Sequence, residues 1–333
     1  MGAAAATAAG QHMMKVVRWL RFVLMCAHGC VSSASPRGQI EHALARSNEL
    51  RAQRDALLES FRPKDTWGDS LERTPFASYY GPLLMQPTFA CPLETLRSSS
   101  AGENNVLNAG PQGKWTCGLR SRLRLKPWPC SVLSFGSNFE WSFERFVQNL
   151  ASEVGHDPCR IHTVDPTLGP KRRVADFRAV LRKANVTLHT DAGLSRRDVP
   201  NAPAWVSLAH GGPKFAVRGL RDFLSRTGGE CVDVLKIDAE GVELDALSFD
   251  HTAPPHKRRP PPWCAGLLLL ELHATPRKIG FELSVATAVE FAQWLERAGM
   301  HHFSSELQCA HCMGYTELGF VNVSWLQRSM GRD

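Results

Sequence analysis

The chain contains no GxGxxG turn, no HxH or HExxH spacing, and no second CxxC to partner Cys309-Ala310-His311-Cys312. It also lacks internal repeats and any uninterrupted apolar run of the roughly 20 residues that a membrane span needs. Each absence excludes something. A nicotinamide oxidoreductase is disfavoured, because the second and third glycines that let a backbone cradle pyrophosphate are missing. No metal is expected, since His, Asp and Glu do not fall at ligand spacings. The lone CxxC reads as a local disulfide or as loop cysteines: a zinc ribbon needs a second pair, and a thioredoxin site needs a strand-to-helix setting. Two basic runs, Lys171-Arg172-Arg173 and Lys257-Arg258-Arg259, have no aromatic residues interleaved. They read as solvated loops, and no nucleic-acid partner is expected despite the net charge of +7.

What is present suits a globular chain, with 333 residues and 43% hydrophobic content. Residues 1–35 follow the order of a secretory signal: Lys15, Arg18 and Arg21, an apolar run from Phe22 to Val31, then Ser32, Ser33, Ala34 and Ser35. An uncleaved signal anchor is the second reading and would make the only membrane contact expected; a cytosolic tail is the third. Loss of Cys26 and Cys30 with a signal leaves the even set Cys91, Cys117, Cys130, Cys159, Cys231, Cys264, Cys309 and Cys312, as suits disulfides. Asn185-Val186-Thr187 and Asn322-Val323-Ser324 are compatible with glycosylation. The expected location is the secretory pathway or outside the cell, with the cytoplasm as the alternative.

Residues 36–112 read as a charged, helix-prone stem followed by an irregular linker rich in Pro, Ser, Gly and Asn. Over 113–329 apolar strands alternate with amphipathic helices. Strands are expected at 131–135, 160–165, 185–190, 231–238 and 265–273, and helices near 140–151, 218–226 and 283–298, the last ended by Gly299. Two late segments, "HHFSSEL" and "YTELGFVNV", read as an antiparallel pair. The fold class is therefore α/β: a doubly wound, mostly parallel sheet covered on both faces, with an antiparallel C-terminal strand.

Ligands of such sheets bind beyond the carboxyl ends of the strands. After the strand at 131–135 comes Gly136-Ser137-Asn138-Phe139-Glu140, where Gly136 admits close backbone approach and Ser137 with Glu140 has capping-box spacing. Asp165 closes "IHTVD", where a carboxylate can accept from ribose hydroxyls; a turn residue before Pro166 is the plainer reading. Asp238 and Glu240 follow the fourth strand, and Glu271 and His273 end the fifth. His273 is a candidate base because its unperturbed pKa lies nearest neutrality.

The blocks "KWTCG", "PCSVLSFGSNFEWSFE", "CRIHTVDPT", "VDVLKIDAEGVELDAL" and "LLLELH" resemble, in order and spacing, the methyltransferase-like protein 24 family and its FkbM-type relatives. That resemblance implies a seven-stranded class I methyltransferase fold, S-adenosyl-L-methionine as cofactor and an unidentified methyl acceptor, with oxygen as the acceptor atom. It implies cofactor-binding roles for Gly136, Ser137, Asn138, Glu140 and Asp165, and places Asp238 near the sulfonium, with Asp238 and His273 as catalytic candidates. Ser134 stands where many methyltransferases carry an acidic residue, so a catalytically inactive binding protein of the same fold is the alternative. The insertion "HTAPPHKRRPPP" is expected to shape or obstruct the acceptor side.

Overall fold

The computed structural model describes residues 35–61, 86–98, 113–125, 130–137, 141–168, 181–182, 184–195, 216–229, 231–239, 241–273, 284–307 and 315–330. Residues 1–34, Asn138, Glu140, Glu240, the run 171–173 and the cysteines at 309 and 312 lie outside them. No described helix is long and apolar enough to cross a membrane.

Four central strands run parallel: β3 (Ser131–Phe135), β4 (Arg160–Val164), β8 (Cys231–Ile237) and β9 (Cys264–His273). β5 (Val186–His189) extends the sheet beyond β4, while β10 (Met300–Leu307) and β11 (Tyr315–Asn322) complete the other side. The seven strands are ordered β10-β11-β9-β8-β3-β4-β5, with β11 antiparallel to both neighbours. This is the expected doubly wound sheet, with its antiparallel C-terminal strand inserted beside β9. Between β5 and β8 in the chain, β6 (Ala192–Ser195) and β7 (Ala216–Gly219) form a separate parallel pair.

Strand β9 shows why the sheet is buried on both faces. Leu267 and Leu269 join one core while Leu268, Leu270 and Leu272 join the other. A strand covered on both sides keeps an apolar residue at every position, and each leucine contributes about 1.5–3 kcal/mol. One face is covered by α4 (Leu220–Arg226) and α6 (Val285–Arg297), through residues including Phe223, Ala288 and Phe291. α6 begins at Ser284, whose Oγ accepts from Thr287 N at 3.0 Å, and Gly299 follows its end at φ +79°. The opposite face carries α3 (Ser142–Glu153) and α7 (Val323–Arg328), through Phe143, Val147, Leu150 and Trp325 among others. Gly266 makes room there, since a Cβ on it would meet the Trp325 ring at 2.4 Å.

The N-terminal segments dock on this body. α1 (Pro36–Phe61) is tied to α6 by the buried Arg54–Glu296 pair at 2.9 Å, with Thr88 Oγ1 donating to the same carboxylate at 3.0 Å. Within the expected linker, β1 (Thr95–Arg97) pairs antiparallel with β2 (Trp115–Cys117), and Cys91 bonds Cys117. α2 (Leu119–Arg124) leads from β2 towards β3.

The insertion at 251–262 enters β9 at Cys264, its amino end, so it lies at the opposite end of the sheet from the strand carboxyl ends and does not cover them. Arg258 is not a solvated loop cation either. Its side chain is 3% exposed, lies 4.7 Å over the Phe249 ring and pairs with Glu290 at 2.7 Å. Loop hydrophilicity gives no sign of that burial, because the partners are distant in sequence.

Cys130 bonds Cys159 just before β3 and β4, and Cys231 bonds Cys264 at the starts of β8 and β9. With loops of 26, 29 and 33 residues, reduction of each of the three bridges should cost about 3.5 kcal/mol. Urea unfolding with and without reductant measures this, and a free thiol at Cys231 in natively isolated protein contradicts the pairing.

His301 and His302 are buried at the β10 edge, and burial pushes both down to about 4. Their unfolded forms bind protons first, so the stability these two histidines contribute is complete above pH 6.5 and is lost as pH drops from there towards 4. Urea midpoints above pH 6.5 and near pH 5, in the wild type and in the His301→Asn/His302→Asn variant, test the sign: the double substitution should lessen the loss on acidification, and a larger loss in the variant would refute it.

Candidate active site

The chain leaves β3 for β4 on one side and returns to β8 on the other, which makes the carboxyl ends of β3 and β8 the switch point of the sheet. Gly136 turns there at φ +70°, and a Cβ on it would stand 1.6 Å from the Asp238 carbonyl oxygen. Only glycine fits both the left-handed backbone and the close approach. Gly136 N donates to Val164 O at 3.1 Å, and Asp238 N to Phe135 O at 3.2 Å, so the ends of β3, β4 and β8 are laced together. From β8, Lys236 Nζ donates to Gly136 O at 2.8 Å and to Phe135 O at 3.3 Å.

Ser137 does not act as a helix cap. Its N–H and hydroxyl donate to Asp165 Oδ2 at 3.1 and 3.3 Å, and α3 begins only at Ser142, with Trp141 as a side-chain-silent cap. Asp165 is buried, and its own N–H donates to His189 O at 2.9 Å. The carboxylate after β4 is thus aimed at the turn after β3, joining two of the expected cofactor residues.

Beyond the β8 end lies a dense ionic cluster. Register places Glu317 of β11 directly opposite Glu271 of β9. Like charges facing each other across a ladder are destabilising. Lys114, immediately before β2, resolves this: its ammonium contacts Glu317 and lies 3.5 Å from Glu271 Oε2 and 3.8 Å from Asp238 Oδ2. Burial disfavours the ammonium, yet Glu317, Asp238 and Glu271 together raise its pKa above the ordinary lysine value. Burial also raises the carboxylic acids. Glu271 is pushed up to about 8, by burial first, then by Asp238 and Glu317, against the opposing Lys114 and His273. Asp238 goes the other way: burial works against its charge, but Lys114, Lys236, His273 and a hydrogen bond from Glu271 hold it below the usual carboxylate value.

His273 is fully buried, with Nδ1 donating to Glu243 Oε1 at 2.7 Å and Nε2 at 3.5 Å from Glu271 Oε1. Glu243 belongs to α5 (Glu243–Ala246) and also accepts from Gly241 N at 2.9 Å and Ala239 N at 3.3 Å. The imidazole therefore stands behind Glu271, whereas the Asp238 side chain is 26% exposed at the cleft. Ligand atoms of Asp238, Glu271 and His273 come within 4.8 Å of one another. By distance alone they would admit a cation, and the cation the chain itself places against two of them is the Lys114 ammonium.

Gly136, Ser137, Asp165, Asp238 and His273 are thus gathered at one end of the sheet, with Asn138 and Glu140 outside the described residues. Lys114, Lys236, Glu243 and Glu317 are the additions. Of these, only Lys236 and Glu243 sit inside a block whose position after a strand points to the cleft. The switch-point crevice, the glycine without room for a Cβ and the buried acid after β4 define a class I methyltransferase-type α/β fold.

A family described as a methyltransferase domain matches residues 74–322, and the chain belongs to that family. No curated protein sequence matches it. Among solved structures, the Methanococcus jannaschii fibrillarin pre-rRNA processing protein is 11% identical, with 68% of this chain and 87% of that one covered and a TM-score of 0.32. Aeropyrum pernix fibrillarin in complex with natively bound S-adenosyl-L-methionine is 13% identical, over 68% of this chain and 88% of that one, at a TM-score of 0.29. Burkholderia thailandensis 1,6-didemethyltoxoflavin-N1-methyltransferase is 14% identical, over 58% and 71% of the two chains, at a TM-score of 0.28. Membership follows from the family match and the strand order, not from these three likenesses.

Because Lys114 holds buried carboxylates, Lys114→Met should destabilise the fold by about 3–5 kcal/mol, the usual cost of orphaning buried charge. Adding Glu317→Gln should restore part of that loss. A double-mutant cycle in urea measures the coupling, and strictly additive effects would show that the two side chains do not interact.

Proposed function

We propose that this methyltransferase transfers a methyl group from S-adenosylmethionine to a hydroxyl oxygen of an acceptor, in an oxidising compartment. The left-handed Gly136 turn pressed against Asp238 carries the reading, because it brings the ends of β3 and β8 together at the switch point, where doubly wound sheets bind their ligands. The cofactor supplies an electrophilic methyl group on a sulfonium sulfur. Gly136 and Ser137 border its place, and Asp165, fixed by Ser137, faces its ribose. Asn138 and Glu140 belong to the same loop. Ser134 is fully buried in β3, so the amino group of the cofactor must be met by other residues.

Across the turn, Asp238 faces the acceptor with Glu271 and His273 ranked behind it. Methyl transfer needs the reactants held in line and, for a hydroxyl, a group to take the proton. The finer kinship with the methyltransferase-like protein 24 family and its FkbM-type relatives rests on the quoted blocks and favours oxygen as the acceptor. The methyltransferase domain covers 113–329, with α1 as an arm docked through Arg54. The three disulfides and the signal-like N-terminus favour the secretory pathway.

Calorimetric titration of the full chain with S-adenosylmethionine and S-adenosylhomocysteine tests the cofactor site. Both should bind, and Asp165→Ala should weaken binding about tenfold or more, as expected for a hydrogen bond to a charged group. Failure of the folded wild-type chain to bind either ligand would remove the reading.

A further inference from the structure

We infer that Asp238 and Glu271 act as one carboxyl pair that takes up the acceptor's proton, with Lys114 as the positioning residue that sets the pH at which the pair is free to do so. The inference rests on the methyl-transfer reading above and goes beyond it by naming the base.

Geometry carries it. Asp238 directly follows β8 and Glu271 lies near the end of the adjacent parallel strand β9; their carboxyl oxygens come within 4.8 Å of each other and both face the Lys114 ammonium, at 3.8 and 3.5 Å. Two carboxyl groups this close, facing one ammonium, titrate together, so a proton they take up belongs to the pair. Asp238 is the more open member, with 26% of its side chain exposed against 12% for Glu271. His273, the other candidate base, is sealed beneath them at 0% exposure and is engaged by Glu243.

Among the described residues, the charged groups facing the pair come from every side. Lys114 approaches from the segment before β2, Lys236 from β8, Glu317 from β11 and His273 from β9, with Glu243 of α5 behind the imidazole. Burial, Asp238 and Glu317 favour the proton on Glu271, while Lys114 and His273 oppose it. Glu271 therefore gives up its proton as the pH rises through about 8, and with Asp238 already ionised the pair then has room to keep the acceptor's proton.

The chemistry balances. A bond forms between the acceptor oxygen and the methyl carbon, the sulfur–methyl bond breaks with its electrons left on sulfur, and the hydroxyl proton passes to Asp238. The pair keeps it as the hydrogen shared with Glu271. Solvent later removes that proton through the cleft.

The test needs no acceptor. Sinefungin carries an amine where the sulfonium methyl would be, and S-adenosylhomocysteine carries nothing there. An ammonium beside the pair favours its emptied form, so the preference for sinefungin over S-adenosylhomocysteine should grow about tenfold from pH 6.5 to pH 8.5 in the full chain. Glu271→Gln should flatten that growth, and Lys114→Met should move it to higher pH, since the ammonium is what draws the pair's proton off. The near-isosteric Glu271→Gln and the wild-type profile decide the matter if Lys114→Met does not fold. Binding of both ligands with a pH-independent ratio overturns the carboxyl pair and leaves the cofactor site standing. Binding of neither overturns both.

Discussion

Lys114 is the point on which the site turns. Three carboxylates, from three adjacent strands, converge at one end of the sheet, and two of them face each other across the β9–β11 ladder. A buried cation favours this register of β11 beside β9, because it faces the carboxyl groups of both strands. The cation comes from outside the sheet, on the segment that leads into β2, so the accessory β1–β2 ribbon is tied by charge to the carboxyl cluster. Cys91–Cys117 then fixes the ribbon to the chain before it.

The two lysines divide the labour. Lys236 fastens the main chain of the Gly136 turn by bonding the carbonyls of Phe135 and Gly136. Lys114 instead faces side chains, the carboxyl groups gathered beyond β8 and along β9 and β11. Asp238 stands between, 3.9 Å from one ammonium and 3.8 Å from the other, and this is why it stays ionised while its neighbour Glu271 holds its proton towards pH 8. A single buried carboxylate would have no such division of roles, because burial alone favours the neutral acid.

Much of this arrangement is legible in the amino-acid sequence. The leucines of β9, the amphipathic face of α3 and the residues just past each strand follow from periodicity and from where doubly wound sheets bind ligands. Gly136, Asp165 and Asp238 stand out for that reason. Lys114 does not, because its importance depends on strand register: nothing in "KWTCG" tells that Glu271 and Glu317 will face each other more than 150 residues later, as their 157- and 203-residue separations from it show. His273 is legible as a residue but not as a buried one. The end of a strand can face either the cleft or the core, and the difference lies in Glu243, which returns from α5 to claim the imidazole. Ser137 likewise has the spacing of a cap and the partner of a bridge.

Two of the disulfides divide the central sheet unevenly. One joins the segments entering β3 and β4, the other the starts of β8 and β9, and no bridge among the described residues crosses from β3 to β8. The four strands are therefore two covalent panels meeting along one uncrosslinked seam. That seam is held by the main-chain ladder, the Asp238 N–H on Phe135 and the reach of Lys236. At its carboxyl end the seam runs between the Gly136 turn and Asp238, and a molecule lodged across that line would be the sheet's missing rivet.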